Sequence, residues 1–133
     1  MTTVFADTFY WIALTLPGDA GYERAQRITD DIVTTEEILS EYLTFFCGAP
    51  ERLRSQAAAN VHAILEDPTV RVVPQSHESF LGGLELYRNR PDKGYSHVDC
   101  ISMLTMRREG LVEALTNDRH FEQEGFRALF RDP

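Results

Sequence analysis

Four acidic residues stand where chemistry could be done. Asp7 closes the strand-like run Val4-Phe5-Ala6-Asp7, and Asp118 follows a second such run, Glu113-Ala114-Leu115-Thr116. Taken singly, each reads most simply as a cap or turn residue. Two acids leaving two strands at one edge of a sheet make coincidence the poorer account. Glu41 lies three residues after Ile38 and four before Phe45, on or beside the apolar stripe of a helix. A carboxylate there must reach water, find a partner or bind a cation, because burying it ionised and unpaired is costly. Asp99 ends Ser96-His97-Val98-Asp99, a capping-box pattern with Asp in place of the usual Glu or Gln. That puts the acid in the first turn of a helix, where the helix dipole favours negative charge.

Carboxylates gathered at close range raise one another's pKa and cannot all ionise without cations. Oxygen-only ligands suit Mg²⁺ or Mn²⁺, ions that activate water and stabilise developing charge in phosphodiester hydrolysis. Other chemistries find less support. No two histidines have the helical spacing of a zinc site; His62 and His77 read as surface or packing residues, while His97 and His120 flank the acids. Cys47 and Cys100 have no neighbouring histidine to activate them and read as reduced, buried thiols. Neither G-x-G-x-x-G nor G-x-x-x-x-G-K-[ST] occurs, which disfavours dinucleotide and P-loop chemistry.

These acids need a scaffold that brings strand ends and helix starts together. Strands are predicted over 3–7, 31–35, 70–74, 113–116 and 126–130, and residues 8–14 form a short helical or extended apolar run. Helices are predicted over about 20–29 with Asp19 as its cap, 36–46, 51–66, 77–88 and 96–110. The helix from Glu36 spaces Ile38, Leu39, Tyr42, Phe45 and Phe46 for burial. The next turns Leu53, Ala57, Val61, Ile64 and Leu65 inward, and Gly82-Gly83 weakens the one after. The alternation predicts an α/β three-layer sandwich with a central, mostly parallel sheet of four to five strands, as one domain over 1–133. In such sheets ligands sit outside the carboxyl ends of the strands, where Asp7 and Asp118 fall.

Composition constrains the partner. The 133 residues are 43% hydrophobic and carry a net charge of −8; twelve of the thirteen basic residues are arginine and Lys93 is the single lysine. Bulk electrostatics therefore disfavour a polyanion, unless cations are bound locally or the basic residues share one face. Arg88, Arg90 and Lys93 lie in the loop entering the Ser96 helix and are the candidate phosphate contacts; a solvated basic loop is the plainer reading. No apolar run approaches the roughly 20 residues that span a bilayer, and the start has no secretory pattern, so a cytoplasmic protein without membrane contact is expected.

Phe5-Ala6-Asp7-Thr8, Glu41, the stretch from Asp92 to Ser102 (Asp-Lys-Gly-Tyr-Ser-His-Val-Asp-Cys-Ile-Ser) and Leu115-Thr116-Asn117-Asp118-Arg119-His120-Phe121 together resemble a PIN domain. The resemblance runs in order along nearly the whole chain. Its specific parts are Asp-Lys-x-aromatic-Ser-x-x-Asp-Cys-x-Ser and Thr-x-Asp-x-x-Phe. It implies a metal-dependent nuclease, similar to the VapC-type ribonuclease toxins that a cognate antitoxin holds. It also implies that Asp7, Glu41, Asp99 and Asp118 surround Mg²⁺ or Mn²⁺, supported by Thr8, Ser96 and Asn117, with RNA as substrate. A homodimer is expected from the apolar surface of Phe45, Phe46 and Ala57-Ala58-Ala59. Two other classes compete. A non-catalytic PIN-like scaffold would bind RNA or protein without Mn²⁺-dependent cleavage. A receiver-like signalling module expects paired acids at the first strand and a lysine after the last, whereas Asp7 stands alone and Lys93 precedes a helix.

Overall fold

The computed structural model describes residues 2–131; the first residue and the last two of the predicted 1–133 domain lie outside the described residues. Five strands, β1 (Thr3–Ala6), β2 (Asp31–Thr35), β3 (Val70–Val73), β4 (Glu113–Leu115) and β5 (Arg127–Ala128), pair side by side in the order β3-β2-β1-β4-β5. Every pairing is parallel. The central strand β1 buries Val4, Phe5 and Ala6 in succession rather than alternately. Consecutive residues of a strand point to opposite faces, so both faces of the sheet are covered, and the architecture is the predicted three-layer sandwich.

The chain builds outward from β1 through β2 to β3, then returns to add β4 and β5 on the other side. The order therefore reverses between β1 and β4, where connections leave in opposite directions and open a crevice at the carboxyl ends. Around it lie α1 (Thr8–Thr15), α2 (Tyr22–Gln26), α3 (Glu36–Phe45), α4 (Glu51–Glu66), α5 (His77–Asn89), α6 (His97–Glu109) and α7 (Arg119–Gln123). Helix α6 is the inner one, burying Cys100, Ile101, Ser102, Met103, Thr105 and Met106. It starts at the Ser96 capping box and stops at Gly110, whose φ of 70° is the left-handed conformation that ends helices.

Several local expectations are corrected. Helix α2 is shorter than predicted and begins after Gly21, because the Asp19 side chain accepts the Gly21 N–H at 2.8 Å and folds a turn instead of capping. Helix α7, absent from the sequence reading, starts directly after Asp118. Phe46 lies beyond the end of α3, where its ring folds back onto Tyr42 (centroids 5.1 Å) and is buried; Phe45 is 57% exposed. Leu65 faces solvent, since the buried line of α4 runs through Ala57 and Ile64, one position out of phase with it. Cys100 is buried as expected, but Cys47 sits exposed in the turn after α3. Gly83 does more than weaken α5. A Cβ there would lie 2.5 Å from Ile101 Cγ1, so the glycine is what lets α5 approach α6.

Candidate active site

Register explains the first pair. Ala6 of β1 lies opposite Leu115 of β4, so Asp7 and Thr116 leave the sheet side by side. The Thr116 hydroxyl donates to Asp7 Oδ2 at 2.8 Å, and the Thr116 hydroxyl oxygen in turn accepts the Asp118 N–H at 3.1 Å. Asp7 stands at the N-cap position of α1 without making a cap's side-chain bond, so the simple capping account does not explain its carboxylate. Burial pushes that carboxyl up to about 7. Hydrogen bonds from Thr116 and the Thr8 backbone offset only part of this, and the charges of Asp99 and Glu41 reinforce it.

Glu41 reaches the crevice because α3 follows β2 without a break, Thr35 ending the strand and capping the helix through the Ile38 N–H. Thr8, at the start of α1, donates to Glu41 Oε1 at 2.6 Å. Burial raises the Glu41 pKa, the Thr8 bond counters it, and Asp99 adds to it. Asp99 and Ser96 form the predicted reciprocal box, each backbone N–H bonding the other's side chain at 3.0 Å. Its pKa is nonetheless raised, by burial first and by the Asp118 charge as well. Asp118 caps α7 through the His120 N–H at 2.9 Å. The four acids thus arrive from four elements and form one electrostatic unit.

Two residues noted in the sequence but given no role there, Thr116 and His120, complete the cluster. Thr116 bonds Asp7, whereas Asn117, predicted as the supporting residue, is exposed. The signal was the strand register, in which the residue after Leu115 must face the residue after Ala6. His120 turns Nδ1 into the cluster, 3.3 Å from Asp118 Oδ1 and 3.6 Å from Asp99 Oδ2. That nitrogen is buried and has no hydrogen-bond partner. One donor atom each from Asp99, Asp118 and His120 lie within 4.8 Å of one another. An unpartnered buried nitrogen beside two carboxylates, that of Asp99 raised in pKa, is a donor set that suits a divalent cation, so these residues fit the ion that the resemblance implies. His97 points elsewhere, its Nε2 meeting the Phe80 carbonyl at 2.9 Å.

The basic loop divides. Arg88 pairs with Glu85 at 2.9 Å on the exposed face of α5, and Lys93 lies 3.9 Å from Asp92. Arg90 is engaged differently: its Nε and Nη2 both donate to Glu124, each at 3.0 Å. Beside Glu41 a cleft of about 500 Å³ opens between Thr8, Ser40, Thr44 and Val98.

Comparison with known proteins agrees with this geometry. The PIN domain family model matches residues 4–126. The 23S rRNA-specific endonuclease VapC20 of Mycobacterium tuberculosis, found in strains CDC 1551 and H37Rv, is 29% identical over 127 residues, covering 92% of this chain and 95% of that protein. The crystal structure of Mycobacterium tuberculosis VapC20, described as a sarcin–ricin loop cleaving toxin, superposes with a TM-score of 0.80 over the same shares of the two chains. Among the described residues no helix is long and apolar enough to cross a membrane. The central parallel sheet, the order of the acids along the chain and the family match lead to one conclusion: the chain belongs to the PIN domain family.

Proposed function

We propose that the chain is a divalent-metal-dependent endoribonuclease acting as the toxin of a cytoplasmic toxin–antitoxin pair. The observation that carries the reading is the meeting of Asp7, Glu41, Asp99 and Asp118 at the β1–β4 switch point, with three of their carboxyls pushed up in pKa. Asp99, Asp118 and Asp7 would hold Mg²⁺ or Mn²⁺, with Glu41 at the margin. Such a cation lowers the pKa of water and offsets the charge that develops on a phosphodiester. The chain's own part is orientation. Thr116 fixes the Asp7 carboxylate, Thr8 fixes Glu41, and Ser96 fixes Asp99, so these acids are held in place before substrate arrives. Arg88 and Lys93 offer local positive charge to the RNA backbone, and Arg90, tied to Glu124, holds the loop between them.

The named target of the related toxin, the sarcin–ricin loop of 23S rRNA, is the first substrate to try. Partner surfaces are available for an antitoxin and a second copy: Phe80, Leu84 and Tyr87 recur along one side of α5, each about half exposed. Incubation of the purified chain with sarcin–ricin-loop RNA and a panel of unstructured RNAs tests the reading. Cleavage should vanish in EDTA and return with Mn²⁺ or Mg²⁺; cleavage undiminished in EDTA removes the mechanism.

A further inference from the structure

We propose that His120 contributes a nitrogen ligand, through Nδ1, to the divalent cation held between Asp99 and Asp118, so that the site is a mixed oxygen–nitrogen one. The inference rests on the metal-dependent reading above and adds a residue outside its four acids. Its first ground is geometric. Neighbouring ligands of an octahedral cation bound at about 2.1 Å stand about 3.0 Å apart, and opposite ones about 4.2 Å. The His120 Nδ1 separations of 3.3 Å from Asp118 and 3.6 Å from Asp99 fall between these values and close to the neighbouring spacing. A closure of a few tenths of an ångström places all three atoms around one centre.

The second ground is the state of the nitrogen. Nδ1 is buried and makes no hydrogen bond, although two carboxylates stand beside it. Buried ring nitrogens ordinarily find a partner. With the proton on Nε2, which looks toward Gly94, Nδ1 presents a lone pair to the point the two carboxylates face. The ring is also held in place. The His120 N–H bonds Asp118 Oδ1 at 2.9 Å, locking ligand to ligand within one turn, and the Tyr95 ring packs edge-on against the imidazole at 5.3 Å. Tyr95 is itself fixed by donating its hydroxyl to Glu124 at 3.0 Å. The competing account is that His120 is protonated and stands in for the cation, leaving when a metal enters.

The chemical consequence is selectivity. Imidazole nitrogen favours transition-metal ions, whereas an all-oxygen site serves Mg²⁺ equally well. The full-length chain, loaded with Mn²⁺ alone as probe, decides the matter by pulsed electron paramagnetic resonance. The expected result is nitrogen coupling from a directly bound imidazole, altered by ¹⁵N-histidine labelling and absent in His120→Gln, which still binds Mn²⁺. In titrations His120→Gln should lose about tenfold in Mn²⁺ affinity and clearly less in Mg²⁺ affinity. Labelled wild-type protein suffices if the variant does not fold, because His62 and His77 are exposed on other helices and His97 bonds Phe80. Bound Mn²⁺ without nitrogen coupling overturns the ligand and leaves the metal-dependent reading standing. Failure of wild type to bind Mn²⁺ at all overturns both.

Discussion

The two ends of α7 carry acids in opposite circumstances. At its C-terminal end Glu124, with a side chain only 4% exposed, accepts two bonds from Arg90, one from Arg107 and one from the Tyr95 hydroxyl. Burial works against its ionisation, but these donors outweigh burial and hold the carboxyl down at about 2. At the N-terminal end Asp118 joins Asp99, Asp7 and Glu41, where burial and mutual repulsion act in the same direction and Asp7 is pushed up to about 7. Glu124 and Asp7 are both buried carboxylates; what differs is whether the chain supplies the cations. A buried carboxylate matched by the protein's own arginines belongs to the scaffold. One left unmatched marks where something from outside must bind. Tyr95 joins the two regions, its hydroxyl on Glu124 and its ring edge on His120.

The contrast breaks most visibly in turnover. Asp99→Asn keeps the shape of the Ser96 cap while removing one charge from the cluster. Losing metal-based charge stabilisation of several kcal/mol should slow RNA cleavage on the order of a thousandfold. A single-turnover cleavage assay measures this, and a loss under threefold would return Asp99 to a capping role alone.

The pH dependence of stability comes next, with opposite signs for the two regions. Asp7 is raised from 3.8 to about 7, so the metal-free unfolded chain ionises it first. Stability from this group is present below about pH 4 and is lost as pH rises toward 7, by as much as ~4 kcal/mol. Asp7→Asn should abolish that decline and melt higher than the parent at pH 8 in chelator. Glu124 is lowered from 4.5 to about 2, so its contribution is full above about pH 4.5 and is lost as pH falls through 2. Glu124→Gln should cost about 2 kcal/mol at neutral pH, a figure kept low because Arg90 and Arg107 are themselves partly exposed. Denaturant titrations of both variants across pH 3 to 8 check the pair; slopes of the same sign would erase the distinction.

The smallest effect concerns the loop between the regions. Arg88→Gln with Lys93→Gln should leave folding intact and lower the salt dependence of RNA binding by about 1.4 in log–log slope, since each of the two single-strand phosphate contacts contributes roughly 0.7. Binding isotherms at several salt concentrations read this directly. An unchanged slope makes the loop a solvated surface, whereas a loss of stability would group it with the Glu124 network.

Long, strongly patterned elements were legible in the residues. Helices α3, α4, α5 and α6 fall close to their predicted bounds, because their apolar spacing and their start and stop signals agree. Short elements were not. Helix α7 has five residues, too few for a period to register, and α2 loses its predicted start because the Asp19 side chain bonds locally. The apolar surface was misplaced for a related reason. Phe45 and Phe46 are adjacent and equally apolar, and only the end of α3 determines which ring turns inward. The loop cations carried the same ambiguity, since Arg88 and Arg90 look equivalent until Glu124 arrives at one of them.

The sequence by itself determined the alternation that makes a parallel sheet, the four acids and the loops and helix starts that carry them, because those features are local and repeat within a few residues. Tertiary structure decided which of those side chains share a charge environment. Thr116 serves Asp7 across a strand pairing, His120 turns toward Asp99 from another helix, and Glu124 takes Arg90 out of the basic loop. Each of these contacts joins residues distant along the chain. The energies that fix them, desolvation and Coulomb interaction, depend on separation in space and on burial, which exist only once the chain has folded.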